Sequence, residues 1–119
     1  MAFVKIYNGK LVASAGYTLN VGADEAFNSA NSDYISVTTM DSTHAIVCYR
    51  DGGNSSYGTA VCLTLSGTTV TADTAHEVVF NSAISSYISV TTMDSTHAIV
   101  CYQDVGNSSY GTANCIYTT

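Results

Sequence analysis

Apolar and polar residues alternate along this chain in short runs, and each run is closed by Gly, Asn, Asp or Ser. Tyr34-Ile-Ser-Val-Thr-Thr39 is rich in β-branched residues and predicts a strand. Met40-Asp-Ser-Thr43 predicts a tight polar turn, and His44-Ala-Ile-Val-Cys-Tyr-Arg50 a second strand. Asp51 to Gly58 reads as a loop, Thr59 to Leu65 as a third strand, Ser66-Gly67 as a turn, and a fourth strand lies within Thr68 to Phe80. No window of helical length carries a 3.6-residue apolar period, and there is no Pro to interrupt a strand, so the predicted class is all-β. The second strand is apolar on both sides, Ile46 and Cys48 against Val47 and Tyr49, which predicts a sheet covered on both faces.

The pattern repeats. Phe27–Cys62 aligns without a gap on Phe80–Cys115, a shift of 53 residues. Only Asn31/Ile84, Asp33/Ser86, Arg50/Gln103, Gly52/Val105 and Val61/Asn114 differ. Folding tolerates far more drift than this, so the identity points to recent duplication or design. At the N-terminus, Ala2–Gly9 matches Ala60–Gly67 in length and turn position, and Gly9–Phe27 corresponds to Gly67–Phe80 with five extra residues. The predicted order is therefore strands three and four, then one to four, then one to three, in a single domain of residues 1–119. Residues 1–26 are a partial unit, 27–79 a full repeat, and 80–119 a second repeat without its fourth strand.

A four-stranded period of this length is that of a propeller blade. The order of strand, polar turn, strand, Gly/Asn loop, strand and outer strand resembles the blade of WD40 and related β-propellers. The run Val37-Thr-Thr-Met-Asp-Ser-Thr-His-Ala-Ile-Val-Cys-Tyr49, followed by Asp51-x-Gly-Asn-Ser-Ser-Tyr-Gly-Thr-Ala60, is similar to repeats of uncharacterised bacterial and phage propeller proteins. The Gly-His and Trp-Asp signatures of WD40 blades are absent, so the resemblance implies architecture and no activity. Asp51-x-Gly53 resembles the start of the Asp-box of sialidase propellers but lacks its Thr-Trp, and is read as a hairpin loop. Propellers close with four to eight blades, and two blades leave apolar faces and edges open. The expectation is a homo-oligomer, a trimer of six blades in first place and a dimer in second, in which the strand near Gly16–Phe27 completes a neighbour's last blade. Ala2–Tyr7 is then left over, as a fifth strand or as a hairpin with Lys10–Ser14.

Composition narrows the partners. With three Lys and Arg, nine Asp and Glu and a net charge of −6, neither nucleic acid nor an anionic membrane surface is an expected partner. No secretory signal or long apolar stretch is visible, and the initial Met points to a cytoplasmic, phage or recombinant product.

The motifs that resemble reactive sites recur because the units recur. Asp41-Ser-Thr-His44, copied as Asp94-Ser-Thr-His97, holds the letters of a catalytic triad as neighbours in one turn, and reads as turn chemistry. His76 stands outside the repeat and is expected to be exposed. His44 and Cys48 lie about 13 Å apart along one strand, too far for one zinc ion. One carboxylate and one amide per loop (Asp51 with Asn54, Asp104 with Asn107) fall short of a calcium shell. If Asp51 pairs with Thr59, Cys48 faces Cys62 and a cross-strand disulfide is open; without a secretion signal the favoured reading is buried free thiols. No cofactor fingerprint, catalytic set or metal site is predicted.

The binding candidates come from topology. In a propeller blade the loop between strands two and three shares a rim with the connection into the next blade. Both are rich in amides and hydroxyls, giving Asn54, Ser55 and Tyr57, their copies Asn107, Ser108 and Tyr110, and Asn28 with Asn81. Such groups suit a neutral polar ligand such as a glycan, and repetition around a ring adds avidity. The predicted function is a non-enzymatic, lectin-like binding module. The alternatives are a structural or protein-interaction scaffold, or an engineered propeller fragment without a ligand.

Overall fold

The computed structural model describes the backbone of residues 3–14 and 16–119 and the side chains of residues 8, 9 and 16–119. Ala2, the first residue of the third-strand-like N-terminal segment, lies outside the described residues. The fold is all-β. The strands are β1 (Phe3–Tyr7), β2 (Lys10–Ser14), β3 (Ser32–Thr39), β4 (His44–Asp51), β5 (Tyr57–Ser66), β6 (Thr69–Ala72), β7 (Val78–Thr92), β8 (His97–Asp104) and β9 (Tyr110–Tyr117), with single 3₁₀ turns at Thr74–His76 and Val105–Asn107. Seven antiparallel strands form one open sheet in the order β3-β4-β5-β7-β8-β9, with β6 beside β5.

β1 and β2 form a separate hairpin, as one of the two readings of that segment expected. Asn8 and Gly9 both have positive φ, 50° and 74°, as a two-residue hairpin turn of this hand requires.

The fourth strand is not a simple element. It is divided between β6, a 3₁₀ turn and the start of β7. β7 then continues without a break: Ala60 to Tyr57 of β5 pair with Val78 to Ile84, and Ser85 to Thr92 pair with β8. One strand thus ends the first repeat and begins the second. Residues 16–27, expected as an additional fourth strand, form none. The edge expected to receive it, on the last repeat of a neighbouring copy, lies outside the single chain, and the edge of β5 is already filled by β6 and β7. The segment instead runs past β6, where Glu25 accepts from the Ala72 amide.

The β4–β5 register differs from the one that would set the two thiols opposite each other. Asp51 pairs with Tyr57 and not Thr59, so Cys48 faces Ala60 and Cys62 faces Ile46. The cause is local. The amides of Asn54 and Ser56 donate to the Asp51 carbonyl, and Ser55 and Ser56 take left-handed φ of 54° and 61°. This compact turn lets β5 start two residues early. All four thiols are free; Cys48 is buried while Cys101 and Cys115 are exposed. Burial pushes the Cys48 thiol up to about 12.

The two repeats stack face to face. Met40, Ile46, Cys48 and Ala60 of the first pack on Ile88, Val90, Ala98, Val100 and Tyr102 of the second. Their first strands lie side by side: the Val90 amide donates to Ser36 Oγ at 3.2 Å, and the Thr38 and Thr92 hydroxyls meet at 2.7 Å. The other face of β4 carries Val47 and Tyr49, packed with Val61 and covered by Phe27, Leu63 and Ala72. Both faces of β4 are therefore buried, as its two-sided apolar pattern predicts.

Phe27 packs on Tyr49 as Phe80 packs on Tyr102, with ring centroids 5.0 Å apart in each pair. The tyrosine hydroxyls have different fates. Tyr102 donates to Asn114 Oδ1 at 2.8 Å. Tyr49 faces Val61 at the corresponding place, and its buried hydroxyl has no partner among the described residues. A buried hydroxyl without a hydrogen bond costs about 1–3 kcal/mol, whereas a satisfied one contributes about 0.5–1.5 kcal/mol. Tyr49→Phe is accordingly expected to leave stability unchanged or raise it, and Tyr102→Phe to lower it by about 1 kcal/mol. Urea unfolding of the two variants decides this, and equal losses would count against the unpaired hydroxyl.

Candidate functional site

The two loops meet at one end of the sheet. β3 begins and β4 ends at one end of the sheet, Ser32 pairing with Asp51, and the Gly52 amide donates to Asn31 O. The Ser85 amide, at the entry to the second repeat, donates to Ser56 O in the Asp51–Tyr57 loop. The loop between strands two and three and the connection between repeats therefore share one end.

Asp51 organises that end. It is 95% buried by its relative exposure of 5%, and its Oδ1 accepts from Asn28 Nδ2 at 3.0 Å and from the Gly53 amide at 2.9 Å. Asn28 Nδ2 also donates to Ser32 Oγ. The copy is the same: Asn81 Nδ2 donates to Ser85 Oγ and to Asp104 Oδ1, which also accepts from the Gly106 amide. Asn28 and Asn81, two of the expected ligand groups, thus act as braces that tie each loop to the connection before it.

The other expected groups remain in the loops. Asn54 is half-buried, and its carbonyl accepts from the Tyr57 amide. Ser55 is exposed and Tyr57 half-buried, while Asn107, Ser108 and Tyr110 are exposed. Phe27, Asn28, Ser29, Asp51, Thr74 and Glu77 surround a polar cavity of about 350 Å³ at this rim. It offers an aromatic edge, an amide, two hydroxyls and two carboxylates. Among these, Phe27, Thr74 and Glu77 were not singled out by sequence reasoning, since only the fold brings the 3₁₀ turn beside Asn28.

Tyr34 and Tyr87 were missed as well. Each is a non-glycine residue at positive φ, 51° and 53°, beside a register shift at the start of its first strand. Holding an aromatic residue there stores strain that surrounding contacts must offset. Their rings meet at 5.1 Å, and the Arg50 guanidinium lies 4.7 Å over the Tyr34 ring while pairing with Asp33 at 2.9 Å. A signal was available. Of the five differences between repeats, Asn31, Asp33, Arg50 and Gly52 cluster here: Asn31 Nδ2 donates to Asp33, and Gly52 to Asn31 O. The copies are Ile84, Ser86, Gln103 and Val105, with Ile84 and Val105 partly exposed. Four of the five differences therefore sit at this rim, where the Asp33–Arg50 pair of the first repeat is replaced by the uncharged Ser86 and Gln103 in the second.

The triad-like letters resolve into a turn at the opposite end. Asp41 Oδ1 accepts from the Thr43 amide at 2.8 Å and lies 2.9 Å from His44 Nδ1; Asp94, Thr96 and His97 repeat this. The contacts to the histidine come from Asp41 and Thr43, with Ser42 outside the set. The Thr43 amide, then His44, hold the Asp41 carboxyl down to about 2 from an ordinary 3.8. Asp94 is lowered too, chiefly by His97 and then by the Thr96 amide. A carboxyl lowered in the folded state stabilises it fully above its unfolded value and loses that contribution as pH falls through the folded one. The melting temperature should therefore drop as pH falls from about 4 to about 2. Asp41→Ala with Asp94→Ala should flatten that dependence; an unchanged slope would assign the acid sensitivity elsewhere. His76, outside the repeat, is exposed and pairs with Asp73 at 2.9 Å. Among the described residues, no three His, Cys, Asp or Glu side chains come together.

No family model, curated protein or solved structure matches this chain.

Proposed function

We propose that this chain is a non-enzymatic β-propeller module of two blades that forms a ring with copies of itself and binds a neutral polar ligand of the carbohydrate class at its rim. The observation that carries the ligand is the polar cavity of about 350 Å³ between Phe27, Asn28, Asp51, Thr74 and Glu77, on the same rim as Tyr34 and Tyr87. Its volume falls in the range of small-ligand sites. Sugars present hydroxyls to amides and carboxylates and C–H faces to aromatic rings, and the rim supplies both kinds of group. The blade reading is supported by first strands lying side by side and by one strand passing from repeat to repeat. Three copies would give six blades, within the four to eight that propellers use.

A glycan array probed with the wild-type protein tests the ligand. Binding is expected, and Glu77→Gln and Tyr34→Ala should each weaken it by about tenfold or more, as loss of a charged hydrogen bond or a ring face would. A blank array favours a scaffold without a sugar ligand. That second reading has its own support, since Asn28 and Asn81 are already engaged in bracing the loops.

A further inference from the structure

We infer that copies of this chain join head to tail, the outer face of the second repeat of one copy docking on the first-strand face of the first repeat of the next, with the geometry of the seam already present within one chain. This rests on the ring part of the reading above and not on its ligand.

The intrachain seam has two halves. Met40, Ile46, Cys48 and Ala60 form one, and Ile88, Val90, Ala98, Val100 and Tyr102 the other. A shift by one repeat turns the first into Met93, Ile99, Cys101 and Ala113, and the second into Ile35, Val37, Ala45, Val47 and Tyr49. Every residue type is the same. Each chain thus carries an additional copy of both halves, on opposite sides.

Exposure shows that these additional halves are open at their inner strands. Met40 is 7% exposed in the seam and Met93 62%. Val90 is 9% exposed and Val37 59%; Ile88 is 7% and Ile35 54%. Cys48 is fully buried and Cys101 exposed. Val47 and Tyr49 are already covered by Phe27 and its neighbours, but that cover does not compete with docking. Phe80 covers Tyr102 in the same way inside the complete seam. The polar contacts translate as well. Thr38 with Thr92 predicts Thr91 with Thr39 of the next copy, and Tyr34 against Tyr87 predicts Tyr87 against the next Tyr34.

The edge of β9 completes the match. In the first repeat, β6 and the start of β7 line the edge of β5 and then lead into the second repeat. The segment that leads into the first repeat is residues 16–27, where Tyr17, Leu19 and Val21 alternate and are almost fully exposed. The same shift lays this segment along β9 of the preceding copy, which has β8 as its one partner among the described residues. Complementary halves on opposite sides of one molecule make a heterologous contact that closes into a ring or propagates.

Cys101 is a built-in probe. Size-exclusion chromatography with light scattering should find a closed oligomer of wild-type protein at micromolar concentration. Iodoacetamide labelling, resolved by peptide mass spectrometry, should find Cys101 about tenfold or more slower in that oligomer than after dilution to monomer, approaching Cys48. Val37→Glu and Met93→Glu change residues exposed in the single chain, so each should fold, by circular dichroism, and run as a monomer. Mixed, they should form a dimer and stop, because each variant retains the half that the other lost. An oligomer that survives both substitutions would overturn this interface while leaving the ring reading standing. A wild-type monomer would overturn both. A dimer from Val37→Glu alone would show that like faces pair, and would overturn the head-to-tail geometry. None of these outcomes depends on the glycan array.

Discussion

Gly58→Ala is expected to destabilise the folded chain by about 1–3 kcal/mol, while Gly111→Ala at the same place in the second repeat stabilises it by about 0.4–1 kcal/mol. Neither glycine has a φ that excludes alanine, so the contrast isolates packing. A Cβ on Gly58 would stand 2.7 Å from Phe80 Cζ and 2.8 Å from Ser85 Oγ. Phe80 is held against Tyr102, and Ser85 Oγ accepts from Asn81, so neither can withdraw without breaking a second contact. Among the described residues nothing lies within 4 Å of a Cβ on Gly111, and alanine there reduces the freedom of the unfolded chain. Chemical denaturation in the monomeric Met93→Glu background measures both. Equal effects would mean that the seam yields freely around Phe80. The docking inferred above adds a second expectation. The next copy's Phe27 would occupy around Gly111 the place that Phe80 occupies around Gly58, so Gly111→Ala in the otherwise wild-type chain should weaken assembly.

Asp51→Ala is expected to cost about 2–3 kcal/mol, the range for losing hydrogen bonds to a buried charged acceptor. The alanine would leave Asn28 Nδ2 and the Gly53 amide without their shared partner and release the loop from the connection into the first repeat. Asp51→Asn keeps an oxygen acceptor and should cost less. Asp104→Ala should also cost less, because Asp104 is only half-buried and water can reach its donors. At roughly 4 °C per kcal/mol for a chain of this size, thermal melts separate the three. Because Asp51 also lines the rim cavity, Asp51→Ala should lower glycan binding together with stability, whereas Glu77→Gln should lower binding alone. A fully stable Asp51→Ala variant would show that the brace is dispensable.

The first three strands of each repeat were legible because short β-branched runs between turn residues leave little choice of element. The two-sided burial of β4 was legible in Ile46, Val47, Cys48 and Tyr49 for the same kind of reason. The β4–β5 register was not. It depends on two serines at positive φ, and serine has no strong preference for that region. Nor was the continuity of β7, since Val78 to Thr92 mixes apolar residues with Asn81, Ser82, Ser85 and Ser86, which read as loop formers. The missing strand at residues 16–27 has a different cause: its alternation is strand-like, but pairing depends on an edge elsewhere.

The rim divides in the same way. The residues of the Asp51–Tyr57 loop and its copy were found from turn chemistry and topology. The use of Asn28 and Asn81 as braces, the strained Tyr34 and Tyr87, and the meeting of Glu77 with Phe27 were not, because each depends on residues far apart in sequence.

By itself the sequence determined the repeat, its first three strands, the two apolar faces of β4 and the near-absence of cationic groups, since all of these follow from local residue type and spacing. Only the tertiary structure decided which face packs on which, which tyrosine hydroxyl is left unpaired, and which copy of each identical residue is open. Two segments of the same sequence are chemically equivalent until packing gives them different neighbours. Met40 is buried and Met93 exposed for no other reason.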